Sequence, residues 1–549
     1  MLLDSRQFDG DAVVADICII GTGPAGLSLA QEFLNHSVTG CLLESGGLAP
    51  DPAAQALAEG DTVGDPIHPP VEVCRRQVGG NANAWVVRIK PGILGVRYTA
   101  LDPIDFEQRD GLPHSGWPLT YDDLLPYYHR AQKVCQSGPF NYCADAWTSP
   151  ATPQLALDPA LVETGIFQFG PSAAFFVGYR EAIAASPNLT LHHHATVVEL
   201  ETAEDGHTVT RARVARPGQP DYWVSARQFV LACGGFENAR LLLNSNRQQP
   251  QGLGNLYDVV GRYFHDHPFV LGGHILPTQR TLFNQTGLYD QRWIGNVAAM
   301  GHLKLARAVL AREELLNISA SLFPRPSQRR HQAVISLQAL ASQIKAQPIS
   351  GTTVGHLGHV LRGSDHIIQT AYRVKTQQQP WLTGFSQGGW SSVARNDRRF
   401  RTFEVIHQIE QSPDPANRVT LSPNRDSLGC PKLEVHWRWS PDDAHRISRA
   451  QAIFAQAFRQ AGLGEFQIAQ EDGLPVLGRP SGAHHLMGTT RMGENPRSSV
   501  VDADCRVHGL HNLFVAGSSV FPTGGYANPT LTIVALALRL GDHLKATLA

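Results

Sequence analysis

The stretch that most restricts the fold is "ADICIIGTGPAGLSLAQEFLNHSVTGCLLESGG", residues 15–47. "DICIIG" is a short apolar strand, "GTGPAG" (Gly21, Gly23, Pro24, Ala25, Gly26) turns it, and "LSLAQEFL" reads as the helix that follows. A second apolar strand, "GCLLE", ends on Glu44, followed by Ser45. A lone G-x-G-x-x-G is weak, because many matches are plain turns. Here strand, helix, second strand and terminal acid all fall in place, which favours a dinucleotide site. The glycines let backbone approach a pyrophosphate at a helix N-terminus, and Glu44 is placed to accept from ribose hydroxyls.

Further along, "CRRQVGGNANAWVVR" (74–88) holds Gly79, Gly80, Asn81, Asn83 and Ala84 before a Trp. Such a loop lets backbone lie against a flat cofactor, although an ordinary turn has the same composition. "SGWPLTYDDLLPYYHRAQ" sets Asp122 and Asp123 to begin a helix. Residues 189–243 return to α/β patterning: "LTLHHHATVVELE", with Val198, alternates like a strand, and "ARQFVLACGGFENARLLLNS", with Gly234, runs strand, turn, helix. In the middle, "HQAVISLQALASQI" places Val334, Leu337, Ala341 and Ile344 on one helical face, and Gly363 interrupts a second helical stretch. "FEVIHQIEQ", "RVTLS" and "KLEVHWRWS" read as strands of an antiparallel sheet.

At 549 residues the chain exceeds one simple core. The expected fold is an α/β nucleotide-binding domain interleaved with an α+β substrate-binding domain containing an antiparallel sheet. The expected boundaries are 12–85, 189–274 and 476–549 for the nucleotide-binding parts, 86–188 for a mixed cap segment, and 275–475 for the substrate domain. A net charge of −2 predicts no field for nucleic acid or an anionic membrane. Eight Cys without C-x-x-C spacing, no basic leader before the first strand and no long apolar run point to a cytoplasmic protein with reduced thiols. His192–His194 and His265–His267 lack metal-ligand spacing, so no metal is expected.

Near the end, "HHLMGTTRMG" joins His484 and His485. Adjacent side chains project to different sides, so one is expected to work while the other packs. "NLFVAGSS", containing Gly517, is a buried strand, and Asn528–Pro529–Thr530 opens the last helix, with Asn at the N-cap and Pro first.

These blocks together resemble the glucose–methanol–choline (GMC) oxidoreductases: GTGPAG with Glu44, "GGNANAW", "WPLTYDDLLPYY", "VLACGGFENARLLL", "VGRYFHDHP", "EQSPDPANRVTLS" and the C-terminal "HLMGTTRMG" through "NPTLT". The C-terminal block is most similar to the pyranose 2-oxidase branch and related bacterial sugar or glycoside oxidoreductases. The resemblance implies FAD, held by Gly21, Gly23, Pro24, Ala25, Gly26, Glu44, Ser45, Gly79, Gly80, Asn81, Asn83, Ala84, Val198, Gly234, Gly517, Asn528, Pro529 and Thr530. It implies that His485 and Asn528 form the catalytic pair, with His485 as general base while hydride passes to flavin N5. Some relatives link FAD covalently through a His just before the Trp; Ala84 stands there, so non-covalent FAD is expected. The implied activity is oxidation of the CH–OH of a sugar, glycoside or polyol, with O2, a quinone or a redox protein as acceptor. The alternatives are the same chemistry on an apolar secondary alcohol or biosynthetic intermediate, and a flavin-containing hydroxynitrile-type lyase.

Overall fold

A computed structural model describes residues 1–216, 218–343, 351–478 and 482–548. The glycine-rich turn joins strand Ala12–Ile20 to helix Pro24–Gln31, and strand Gly40–Glu44 returns parallel to the first. Around this unit runs an eight-stranded mixed sheet, ordered Leu2–Asp4, Leu189–His193, Gly40–Glu44, Ala12–Ile20, Gln219–Leu231, Val209–Arg216, Thr196–Thr202. The last three pair antiparallel, while the others, with Leu513–Val515 beside Gln219–Leu231, pair parallel. Ile17, Cys18, Ile19 and Leu42 are fully buried, as expected for parallel strands covered on both faces. The C-terminal helix Thr530–Leu548 packs against Pro24–Gln31 and Tyr121–Val134, with Tyr128 Oη 2.9 Å from Thr532 Oγ1.

A second sheet of eleven strands is antiparallel at every described pairing. Its strands come from residues 87–98, 162–171, 269–325, 402–409 and 464–477, so the chain crosses repeatedly between the two sheets. Each sheet has its own large apolar cluster.

Three local expectations are corrected. "RVTLS" and "KLEVHWRWS" do pair antiparallel, as Arg418–Arg425 with Pro431–Trp437, but they leave the large sheet and take Gly60–Gly64 as a parallel third strand. The cause is a separate cluster in which Val419, Leu433, Val435 and Trp437 pack on Phe236 and Phe264. On helix Gln328–Gln343 the buried face centres on Ala333 and Val334; Leu337 is half-buried and Ala341 exposed, while Ile344 lies outside the described residues. The chain crosses that helix at Gly363, where a Cβ would come within 2.3 Å of Ala333 Cβ, and this crossing sets the face. Finally, "LTLHHHATVVELE" is two strands rather than one. His194, at φ +54°, ends the first, so His192 and His194 do not share a strand face. His192 packs under Phe8 and Tyr222, while ligand atoms of Asp4, His193 and His194 lie within 4.8 Å of one another. The Asp4 carboxylate there is already paired with Arg6 at 2.6 Å.

Gly363 does separate Gly351–Arg362 from Ser364–Gln377, as its sequence position suggests. All eight cysteines are unpaired. Among the described residues no helix is long and apolar enough to cross a membrane.

Candidate active site

A cavity of about 680 Å3 reaches from the glycine-rich turn to the start of the C-terminal helix. Gly21, Gly23, Pro24, Ala25, Glu44 and Ser45 line one part of it. Gly80, Asn81, Ala84, Val198 and Gly234 add to the walls, as do Gly517, Asn528, Pro529 and Thr530. Three residues expected at the cofactor do not line the cavity. Gly26 lies under the turn, where a Cβ would meet the Gly21 carbonyl oxygen at 2.0 Å, so it lets the helix pack. Gly79, at φ +96°, lies against Phe176, and Asn83 Nδ2 donates to the carbonyls of Val78 and Gly80, both at 3.0 Å. These two shape the loop.

Glu44 is held in place by its own neighbours: Oε2 accepts from Thr22 N–H (3.1 Å) and Oγ1 (2.6 Å), and Oε1 from Gly46 N–H (2.9 Å). Burial raises its pKa against those donors. Beside it Arg76 pairs with Glu237 at 2.7 Å and donates to Ser45 Oγ, also at 2.7 Å.

At the other end the two adjacent histidines diverge. His484, at φ +61°, is exposed and meets His68 edge-on with centroids 4.5 Å apart. His485 turns to His267, their Nδ1 atoms 2.9 Å apart. The partners fix the tautomers. His267 Nε2 lies 3.2 Å from the Gly524 carbonyl, which only accepts, so this nitrogen carries the proton. Burial pushes His267 down to about 3, so it is neutral and its Nδ1 is an acceptor. His485 must then donate from Nδ1, which leaves its Nε2 as a lone pair without a protein partner among the described residues. Burial, then the neighbouring His267 and Arg97, hold His485 well below the ordinary imidazole value, so it is neutral at physiological pH.

Asn528 is oriented with equal definition. Its Oδ1 accepts from Arg97 Nε at 3.0 Å and Gln408 Nε2 at 3.1 Å, which leaves the Nδ2 donors free for the cavity. The side chain is therefore no helix cap; Pro529 takes that place, its carbonyl accepting from Ile533 N–H at 2.8 Å. Arg97 also donates to Gln408 Oε1 and lies over the Phe385 ring at 4.0 Å. Burial pushes Arg97 down to about 9. The same cavity is therefore lined by a lone-pair nitrogen and an amide donor, the latter beside the N-terminus of a helix that favours negative charge.

Four residues of this arrangement were not foreseen: Arg97, Gln408, Asp266 and His267. Asp266 is buried, and its Oδ1 accepts from the N–H groups of His267 (2.6 Å), His485 (2.9 Å) and Ala483 (3.1 Å). It thus ties the loop carrying His485 to the strand entry carrying His267. Burial pushes Asp266 up to about 6, against those donors. Below that pH the carboxylate takes up a proton and loses acceptor strength, so the loop should loosen. The rate of reduction of the bound cofactor is expected to hold level above about pH 7 and fall through about pH 6. Asp266→Asn should lower the plateau and remove this acid limb. A limb unchanged in that variant would assign it to another group.

Residues 413–537 match the family model described as GMC oxidoreductase. The chain is 24% identical over 600 residues to 6'''-hydroxyparomomycin C oxidase of Streptomyces lividus, covering 98% of this chain and 92% of that one. It is 24% identical over 597 residues to 2-methyl-1,2-propanediol dehydrogenase of Mycolicibacterium austroafricanum, covering 96% and 95%. The fold is similar to the solved structure of pyridoxine 4-oxidase from Mesorbium loti, with a TM-score of 0.52 at 17% identity over 97% of this chain and 99% of that one. Residues 413–537 thus carry a GMC oxidoreductase region, within a chain similar over nearly its whole length to an oxidase and a dehydrogenase.

Proposed function

We propose that this protein is an FAD-dependent oxidoreductase that oxidises the CH–OH group of a sugar, glycoside or polyol, with His485 as general base. The observation that supports the reading is that His485, oriented through Nδ1 by His267, and Asn528, oriented through Oδ1 by Arg97 and Gln408, line the same glycine-bordered cavity. The residues fit a dinucleotide cofactor. At Gly23 and Gly517 a Cβ would meet nothing nearer than 4.0 Å, and at Gly234 nothing within 4 Å, so three backbone segments border open space.

FAD, when bound, supplies the acceptor for the hydride leaving the carbinol carbon. The protein's part is to hold the hydroxyl and receive its proton. Asn528 Nδ2 donates to the hydroxyl oxygen, and His485 Nε2 takes the proton. Because His485 starts neutral, no prior deprotonation is needed. The proton arrives on a ring whose far side already donates to His267, so the ring keeps its orientation through the transfer. Ala84 offers no nucleophile at the loop position, and acid precipitation is expected to release FAD into the supernatant. Flavin remaining with the precipitate would overturn the non-covalent assignment.

A second substrate reading has its own support. Trp85, Val87, Phe269 and Phe385 give the cavity apolar surface, which suits an apolar secondary alcohol. An anaerobic screen of sugars, glycosides, polyols and lipophilic alcohols for bleaching of the flavin separates the two. Turnover of a hydroxynitrile without bleaching would instead show lyase chemistry.

A further inference from the structure

Between the neighbouring antiparallel strands Ile318–Arg325 and Thr402–Ile409 the chain leaves the sheet for three helices, Gln328–Gln343, Gly351–Arg362 and Ser364–Gln377. Their inner surface is packed, with Ala333, Val334 and Thr370 buried. Their outer surface is not. Val354, Leu357 and Leu361, at steps of three and four along the second helix, share one side and are 67%, 49% and 74% exposed. Ile368 and Tyr372, four apart on the third helix, are 70% and 64% exposed. Single exposed apolar residues are ordinary, but five large ones between positions 354 and 372, on two consecutive helices, are a local concentration that calls for a cover.

Charge indicates which cover. Residues 328–377 hold six Lys and Arg against one acid, Asp365, inside a chain of net charge −2. Asp365 is engaged by Arg330 at 3.0 Å and lies 3.9 Å from Arg329. Arg362 and Lys375, near the ends of the second and third helices, are exposed and have no acidic partner among the described residues. A second copy of the same face would set these like charges against one another. An anionic bilayer offers an apolar layer beneath negative headgroups, which matches both features.

We propose that this three-helix excursion docks the enzyme on an anionic lipid bilayer. Val354, Leu357, Leu361, Ile368 and Tyr372 enter the acyl boundary, and Arg362 and Lys375 meet the headgroups. The near-neutral total conceals this local excess, which is why net charge alone points away from a membrane. On its return the same excursion carries Phe385, which lines the cavity over Arg97, so the docking face and one cavity wall belong to one segment. The proposal rests on the surface and is independent of the reaction assigned to the cavity.

The test is flotation of the purified holoenzyme with vesicles of phosphatidylcholine containing phosphatidylglycerol at roughly one part in three, and with phosphatidylcholine alone. The enzyme is expected to float with the mixed vesicles and at least about tenfold less with the neutral ones. Leu361→Asp combined with Ile368→Asp should reduce flotation roughly tenfold or more, with flavin content and unfolding temperature unchanged. Arg362→Gln combined with Lys375→Gln should remove most of the preference for the anionic lipid. Absence of flotation, equal flotation on neutral vesicles, or both double variants floating like the parent would each overturn the proposal. Sedimentation showing self-association that the Asp variant abolishes, without flotation, would assign the face to a second copy and overturn it as well.

Discussion

His485→Ala is expected to fold and to keep its FAD, yet to reduce that FAD about 10²–10⁴-fold more slowly with a CH–OH substrate. Among the described residues the side chain makes one polar contact, the Nδ1 bond to His267, so its removal leaves the sheet cores untouched. What disappears is the nitrogen proposed to accept the hydroxyl proton. The loss should appear in the reductive step itself, and raising the pH should recover part of it, because the substrate then sheds its proton more easily. His484→Ala is the control. Its ring meets His68 at the exposed side of the loop, so a modest factor in rate or stability is expected. If His484→Ala were the slow variant and His485→Ala normal, the assignment of the base would be wrong.

Gly23→Val and Gly21→Val should separate cofactor binding from folding. At Gly23 an added Cβ meets nothing nearer than Gly80 Cα at 4.0 Å, and the backbone is extended, so the protein should fold. The side chain would occupy the cavity where the turn faces it, and a roughly tenfold or greater loss of bound FAD is expected. At Gly21 the backbone sits at φ +102° and a Cβ would lie 2.4 Å from the Ala232 carbonyl oxygen. That variant carries roughly 1–3 kcal/mol of backbone strain before the clash is counted, and should lose the fold as well as the cofactor. Flavin absorbance per protein, read beside the unfolding temperature, distinguishes the two. Normal FAD content in Gly23→Val would contradict the placement of the cofactor at this turn.

What was legible in the sequence follows from the range of the interactions. The strand–turn–helix around GTGPAG is set by contiguous residues, and so is the break at Gly363. His485 and Asn528, which both line the cavity, could be singled out because they lie in distinctive local motifs. Their supports are not local. Arg97 and Asn528 are 431 positions apart, Arg97 and Gln408 311, and His267 and His485 218. No periodicity connects residues on different strands of different segments, so Arg97 and Gln408 gave no signal. Asp266 and His267 do give one, in "YFHDHP", but its spacing speaks only against a metal and says nothing of a positioning role. The carboxylate instead collects three backbone N–H groups, and the imidazole sets a tautomer. Likewise the 3.6-residue pattern identified helix Gln328–Gln343 but misjudged its face, since the crossing of Gly363 over Ala333 is a tertiary contact.

In the proposed reaction hydride leaves a carbinol carbon for the flavin while His485 receives the hydroxyl proton. The decisive experiment is anaerobic stopped-flow, mixing the enzyme with a substrate found in the bleaching screen and with the same substrate deuterated at the carbinol carbon. Bleaching of the flavin is expected in both cases, with a primary isotope effect on its rate and a far slower bleach in His485→Ala. Turnover that leaves the flavin oxidised, or bleaching at equal rates in His485→Ala and the parent enzyme, would contradict it.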